Sequence, residues 1–193
     1  MLSLPSLAAR LRVLAPSCGP TRLLAVDGYA GSGKTTFAAL LAGELGEDGP
    51  APVVHLDDLA THEEFFAWTG RLRTEVLAPL AEGRPVRHRV YDWELARFDE
   101  TVRELPAAPP FLILEGVGAG RRAVRPYLSA LLWMDLDAET ARTRGELRDG
   151  PQLAEFWKQW TKEQSEHFRV DPSRGFADFL VTGSTGRPFA DAA

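Results

Sequence analysis

At 193 residues, with 45% hydrophobic and 25% charged side chains, the chain suits one domain with a sizeable core and excludes a disordered polymer. Its net charge of -5 gives no support to a nucleic-acid partner, which selects a basic surface. The single cysteine, Cys18, excludes an internal disulfide, and no apolar run approaches membrane-helix length. A soluble cytoplasmic protein with no membrane partner is therefore expected.

In chain order, residues 6–14 read as a short amphipathic helix with Leu7, Leu11 and Leu14 on one stripe, and a Pro- and Gly-bearing linker completes segment 1–21. "RLLAV" (22–26) is a continuous apolar run ending at Gly28, as a buried parallel strand should. A helix follows over 34–45, stopped by the stretch from Gly46 to Pro50. "PVVHLDD" (52–58) reads as a second strand, with Asp57 and Asp58 at its carboxyl end and His55 as a structural residue inside it. "FLILEG" (111–116), "ALLWMDLD" (130–137) and "ADFLVTG" (177–183) read as further strands. Helical stretches are expected around 61–81, 93–104, 121–129, 138–148 and 152–168. "RPVRHRVYDWELARF" alternates in a way that suits a hairpin or extended edge. Strands alternating with helices imply an α/β fold of three layers, a mostly parallel sheet of about five strands covered on both faces.

The pattern G-x-x-x-x-G-K-[ST] is satisfied by Gly28, Gly33, Lys34 and Thr35, between a strand and a helix. Glycines let such a loop turn successive N–H groups toward phosphate oxygens, and the following helix adds the positive end of its dipole. Gly28, Ala30, Gly31, Ser32, Gly33, Lys34, Thr35 and Thr36 are thus the expected phosphate-binding residues. Lys34 would reach the β- and γ-phosphates, Thr35 would ligate Mg²⁺, and Thr36 would support the loop or cap the helix. In parallel α/β sheets ligands bind outside the carboxyl ends of the strands, where Lys34, Asp57 with Asp58, and Glu115 converge.

The loop leaves the chemistry open among a GTPase, a motor ATPase and a small-molecule kinase. The chain has no asparagine, so the N-K-x-D guanine-reading motif is absent. A motor ATPase strand ends in Asp or Asp-Glu, whereas this one ends "LILEG", and the chain is short. A kinase needs a carboxylate beside the γ-phosphate to take the acceptor proton, with positioning and charge stabilisation for the rest.

Four segments in order, "DGYAGSGKTTFA", "VVHLDDL", "EGRPVRHRVYDW" and "FLILEGVGAG", resemble the uridine kinase and nicotinamide riboside kinase group of P-loop kinases. "RTRGELRDG" resembles their arginine-bearing lid. The resemblance implies a P-loop NTPase fold for a single domain 1–193, with 58–105 binding the acceptor and 138–168 forming a lid and following helix. It implies Asp57 as base, Asp58 orienting substrate or water, and Glu115 holding the hydration shell of Mg²⁺. Arg144 and Arg148, four apart on one helix face, would clamp the transferred phosphate, while Arg142 has no such support.

Tyr91 and Trp93 could stack on a base or ring, Asp92 or Arg97 could meet a polar edge, and Arg121 or Arg122 an anionic group. Two departures weaken uridine specificity. Ala96 and Arg97 stand where that family carries a pyrimidine-reading histidine, and Leu59 and Ala60 replace its aromatic pair, leaving Phe65, Phe66 and Trp68 as alternative pocket residues. Phe156, Trp157, Trp160 and Phe168 read as a core stripe, and His62, His88 and His167 lack metal-ligand spacing. The expected function is ATP- and Mg²⁺-dependent phosphorylation of a hydroxyl on a nucleoside-like small molecule. A nucleoside monophosphate kinase using Arg71, Arg73 or Arg97, and a non-catalytic ATP-binding regulatory protein, remain alternatives.

Overall fold

The computed structural model describes residues 2–182 and 189–192. The "RLLAV" run becomes β1 (Arg22–Asp27), the central strand of a six-stranded sheet. Its neighbours are β5 (Phe111–Glu115) and β6 (Ala130–Met134), both parallel to it. β2 (Val53–His55) extends the sheet beyond β5, and β7 (Phe179–Thr182) extends it beyond β6, again in parallel. β8 (Phe189–Ala192) closes that edge antiparallel to β7, giving the order β2-β5-β1-β6-β7-β8. β3 (Val86–Asp92) and β4 (Arg97–Leu105) form a separate antiparallel hairpin.

Continuous apolar strands follow from burial on both faces. Leu24, Val26, Ile113 and Leu132 pack with α1 (Leu4–Arg12) and α2 (Lys34–Leu45), through Leu7, Leu11, Phe37 and Leu41. Leu23, Ala25, Leu112, Leu114 and Trp133 face the opposite core, filled by Trp68, Leu72, Val76 and Leu80. The last four belong with α3, which runs through Thr69–Arg71, a wider-wound Leu72–Leu77 and Ala78–Ala81. α4 (Ala138–Asp149) and α5 (Ala154–Val170) complete the helical layers. Leu7 and Leu11 are fully buried, each contributing about 1.5–3 kcal/mol to docking α1 on the sheet.

Several expected elements differ. Residues 93–104 form no helix: Trp93 to Ala96 make a turn, and Arg97–Leu105 is a strand. Asp92 Oδ1 accepts from the N–H groups of Glu94 (2.9 Å) and Leu95 (2.8 Å), so a side chain fixes the turn. Stretch 121–129 holds only one tight helical turn, Arg125–Tyr127, and the helix expected from 61 begins at Thr69. The second strand ends at His55, and Leu56–Asp58 is a 3-10 turn that lifts Asp57 off the sheet. The strand expected over 130–137 stops at Met134, and that over 177–183 begins at Phe179, with residue 183 outside the described residues. Leu14 lies beyond α1 yet packs against the same core. Cys18 is buried with its thiol toward the Leu77 carbonyl, 3.6 Å away, and burial pushes its pKa up to about 11.

Candidate active site

Register fixes the floor of the site. Glu115, the last residue of β5, pairs with Val26 on one side and His55 on the other, so β1, β5 and β2 end together. The phosphate loop leaves β1 there, and Asp57 stands two residues beyond β2. Gly33 has a φ of 92° and N-caps α2, so its left-handed turn aims the first N–H groups of that helix into the cleft.

A cavity of about 280 Å³ lies over this edge. Its wall includes Ala30, Gly31, Gly33, Lys34, Thr35 and Thr36 from the loop, with Asp57 and Glu115 beneath and Arg144 and Arg148 from α4. Residues expected from four separate segments are thus brought to one place. Gly28 and Ser32 do not line it. The Gly28 N–H donates to Asp27 Oδ1 at 2.7 Å, and Ser32 is buried so close to Gly28 that an added Cβ there would lie 3.0 Å from Ser32 Oγ.

The loop is held from behind by residues that motif reading passed over. Asp27 is fully buried and also accepts from the N–H groups of Gly118 (2.8 Å) and Gly120 (2.9 Å), tying the phosphate loop to the loop after β5. Gln164, 5% exposed on α5, accepts from the Ala30 N–H at 2.7 Å. Gly31, at φ 84°, abuts α4 so closely that a Cβ would lie 2.0 Å from the Ala141 carbonyl oxygen.

Charges meet at the floor. Lys34 is 7% exposed as a residue, and its ammonium donates to the Tyr29 carbonyl at 3.0 Å. Burial lowers its pKa, against the pull of Glu115, Asp57 and Asp27. Asp57 has solvent-open surface yet is ringed by protein at the bottom of the cleft. That desolvation, then the Glu115 charge, raises its pKa, and Lys34 opposes them. His55, expected to be merely structural, hydrogen-bonds Glu115 Oε2 through Nδ1 at 2.7 Å and so orients the carboxylate over the cavity. A hydroxyl and a buried carboxylate facing one phosphate-sized space suit Mg²⁺, which takes oxygen ligands and needs few carboxylates when phosphates and water supply the rest. Among the described residues no cluster of three or more His, Cys, Asp or Glu could hold a metal by itself.

A second cavity, about 500 Å³, adjoins the first. Trp93, Phe156, Trp157 and Trp160 give it aromatic walls, while Glu94, Asp149 and Gln152 add polar groups. Ala30, Asp57, Arg148 and Trp160 line both cavities. Trp157 and Trp160 are buried, as a core stripe predicts, yet they also face the cavity, so one set of side chains is both core and wall. More than half of this wall comes from 148–160, beyond the expected acceptor segment 58–105.

Of the expected substrate residues, Trp93 lines this cavity, and its Nε1 donates to the Asp57 carbonyl at 3.2 Å. Tyr91, Asp58, Arg97 and Arg122 line neither cavity. Tyr91 is 7% exposed, bonds His62 at 3.0 Å and buttresses Trp93 edge-on. Asp58 sits 3.6 Å from Arg103 of the hairpin. Arg97 is exposed at the hairpin tip, pairing across from Asp92, and Arg122 is exposed beside Asp171. Arg121 is buried, donating to the Phe66 carbonyl (2.7 Å) and Thr69 Oγ1 (2.6 Å) while stacked over Trp68. Arg142 reaches Glu146 at 3.9 Å.

No protein-family model matches the chain, and no curated protein matches it by sequence. Solved structures do match. One, provisionally described as a fructose transport system kinase from a Silicibacter species, aligns with a TM-score of 0.73 at 19% identity, over 95% of this chain and 100% of that one. Another, described as a possible uridine kinase from Bacillus stearothermophilus, aligns with a TM-score of 0.60 at 18% identity, over 86% and 93%. A D-glycerate 3-kinase from Cryptococcus neoformans var. grubii aligns with a TM-score of 0.56 at 15% identity, over 98% and 96%. The chain therefore has the three-layer P-loop fold these proteins share.

Proposed function

We propose that this chain is an ATP- and Mg²⁺-dependent kinase that phosphorylates a hydroxyl of an uncharged, ring-bearing small molecule, with nucleosides as the leading class. The carrying observation is that Asp57 belongs to both cavities, one fit for phosphates and one for an organic ring. A carboxylate at that junction can accept the acceptor proton as its oxygen attacks the γ-phosphate. In this reading the loop N–H groups and Lys34 hold the phosphates, and Arg144 and Arg148 offset charge on the transferring group. Thr35 and Glu115 would hold Mg²⁺, which when bound neutralises phosphate charge.

Aromatic faces suit a base or a sugar ring. Asp57, Glu94 and Asp149 oppose an anionic acceptor, and Arg148, the only arginine or lysine on that wall among the described residues, is bonded to Asp149. Arg71, a candidate phosphate reader, donates instead to the Leu59 carbonyl (2.7 Å) and Glu64 (2.9 Å). These features weigh against a monophosphate acceptor. The similarity to kinases of the same fold supports catalysis over mere nucleotide sensing. An ADP-release screen over nucleosides, sugars, vitamins and nucleoside monophosphates tests the reading: a neutral ring compound should stimulate release, and stimulation by monophosphates alone would reverse it.

A further inference from the structure

Asp149 lines the second cavity beside Arg148, and its carboxylate accepts three side-chain hydrogen bonds. Arg148 Nε donates to its Oδ1 at 2.6 Å and Arg148 Nη2 to its Oδ2 at 2.9 Å. The Trp157 indole N–H donates to the same Oδ2 at 3.0 Å. An ion pair between adjacent exposed residues is ordinarily weak and mobile. Here the carboxylate is 19% exposed while Arg148 is 68% exposed, so a fixed base holds a projecting arm.

The base is fixed through packing. Trp157 is 3% exposed, and Gly145 of α4 lies against it so tightly that a Cβ would stand 2.1 Å from the ring. A guanidinium carries five N–H groups in one plane. The fork to Asp149 occupies one on Nε and one on Nη2, leaving the Nη1 edge unoccupied by Asp149. Arg148 meanwhile lines the phosphate cavity. Orienting a charged group before reaction removes an entropic cost that would otherwise fall on the transition state.

Resting on the kinase reading of Arg148, we infer that Asp149, itself held by the Trp157 N–H, is a positioning residue that fixes the Arg148 guanidinium with its outer N–H edge available to the transferring phosphoryl group. Arg148 also holds the Asp149 carboxyl below its usual pKa, so the fork keeps both charges across the neutral range.

The test measures, by calorimetry on the full chain, how much aluminium fluoride tightens MgADP binding, since that complex mimics the transferring group without needing an acceptor. The wild type should gain tenfold or more, on the order expected for one charge-assisted hydrogen bond. Arg148→Ala and Asp149→Ala should each lose most of that gain, and Trp157→Phe a smaller part, each gain being referred to that variant's own affinity for MgADP alone. Millimolar free guanidinium should restore the gain in Arg148→Ala but not in Arg148→Ala/Asp149→Ala, which lacks the receiving carboxylate. A purely structural role would not produce that dependence. Should Asp149→Ala melt early, Trp157→Phe and the rescue of Arg148→Ala still decide. A wild-type gain that Asp149→Ala retains, or guanidinium rescue of both backgrounds alike, overturns this inference alone. A wild type that binds MgADP but gains nothing from aluminium fluoride overturns it together with the kinase reading.

Discussion

Asp57 combines two properties that pull against each other. Its desolvation in a protein-walled cleft, and then the Glu115 charge, raise its pKa, yet to act as the proposed base it must be ionised. Acceptor-dependent kcat/KM should therefore fall on the acid side at a pH above the ordinary carboxylate value of about 3.9, and Asp57→Asn should remove that limb. The same variant should lower the acceptor-dependent rate by about 100-fold or more at neutral pH. Stability should move the other way. A carboxyl whose folded pKa is raised favours the folded state below its unfolded pKa and loses that contribution as pH rises through the folded pKa. At neutral pH the ionised Asp57 is thus a cost, and Asp57→Asn should melt at an equal or higher temperature. A lower melting temperature with an unchanged rate would contradict both roles.

At the scale of elements, the phosphate loop is shaped as much by what lies behind it as by its own glycines. Gln164→Leu removes the acceptor of the part-buried Ala30 N–H, so a loss of about 1 kcal/mol in unfolding free energy is expected, with weaker MgATP binding. Chemical denaturation and calorimetry check these together. Gly31→Ala should be more severe, because it adds strain at a positive φ and drives a methyl into the Ala141 carbonyl. Displacement of α4, and with it Arg144 and Arg148, should raise the KM for ATP in whatever fraction folds.

Legibility follows the same boundary between local and distant. β1, the phosphate loop and α2 (Lys34–Leu45) were readable because one contiguous motif dictates strand, turn and helix. Lys34, Asp57 and Glu115 could be brought toward one edge because strands that end in charge mark that edge, whereas Arg144 and Arg148 came from helix spacing and the resemblance to a kinase lid. The stretch 93–104 looked helical because Glu, Leu, Ala and Arg favour helices. Its pairing with β3 overrides that preference, and the turn carries Ala96 at φ 52° where a glycine or asparagine would have announced it. The second cavity was hidden because its wall joins residues near 57–94 to residues 148–160. Phe156, Trp157 and Trp160 looked like core since burial and lining coexist in the same rings.

At the scale of the whole molecule, two cavities share a wall of four residues. One is built from backbone N–H groups and cations, the other from aromatic faces and carboxylates. Among the described residues no helix is long and apolar enough to cross a membrane. The charge of the second cavity predicts that attaching a phosphate to an accepted nucleoside or sugar lowers its kcat/KM by about tenfold or more, since like charges brought together at a site repel and one tenfold step is about 1.4 kcal/mol. Glu94→Gln should reduce that penalty, measurable with paired phosphorylated and unphosphorylated acceptors. The most direct test of the central claim is ADP release by the wild type and Asp57→Asn, with MgATP, across a panel of neutral nucleosides and sugars. At least one acceptor should stimulate release by the wild type and leave Asp57→Asn at its basal rate. Release that no acceptor changes, equal in the two proteins, would contradict it.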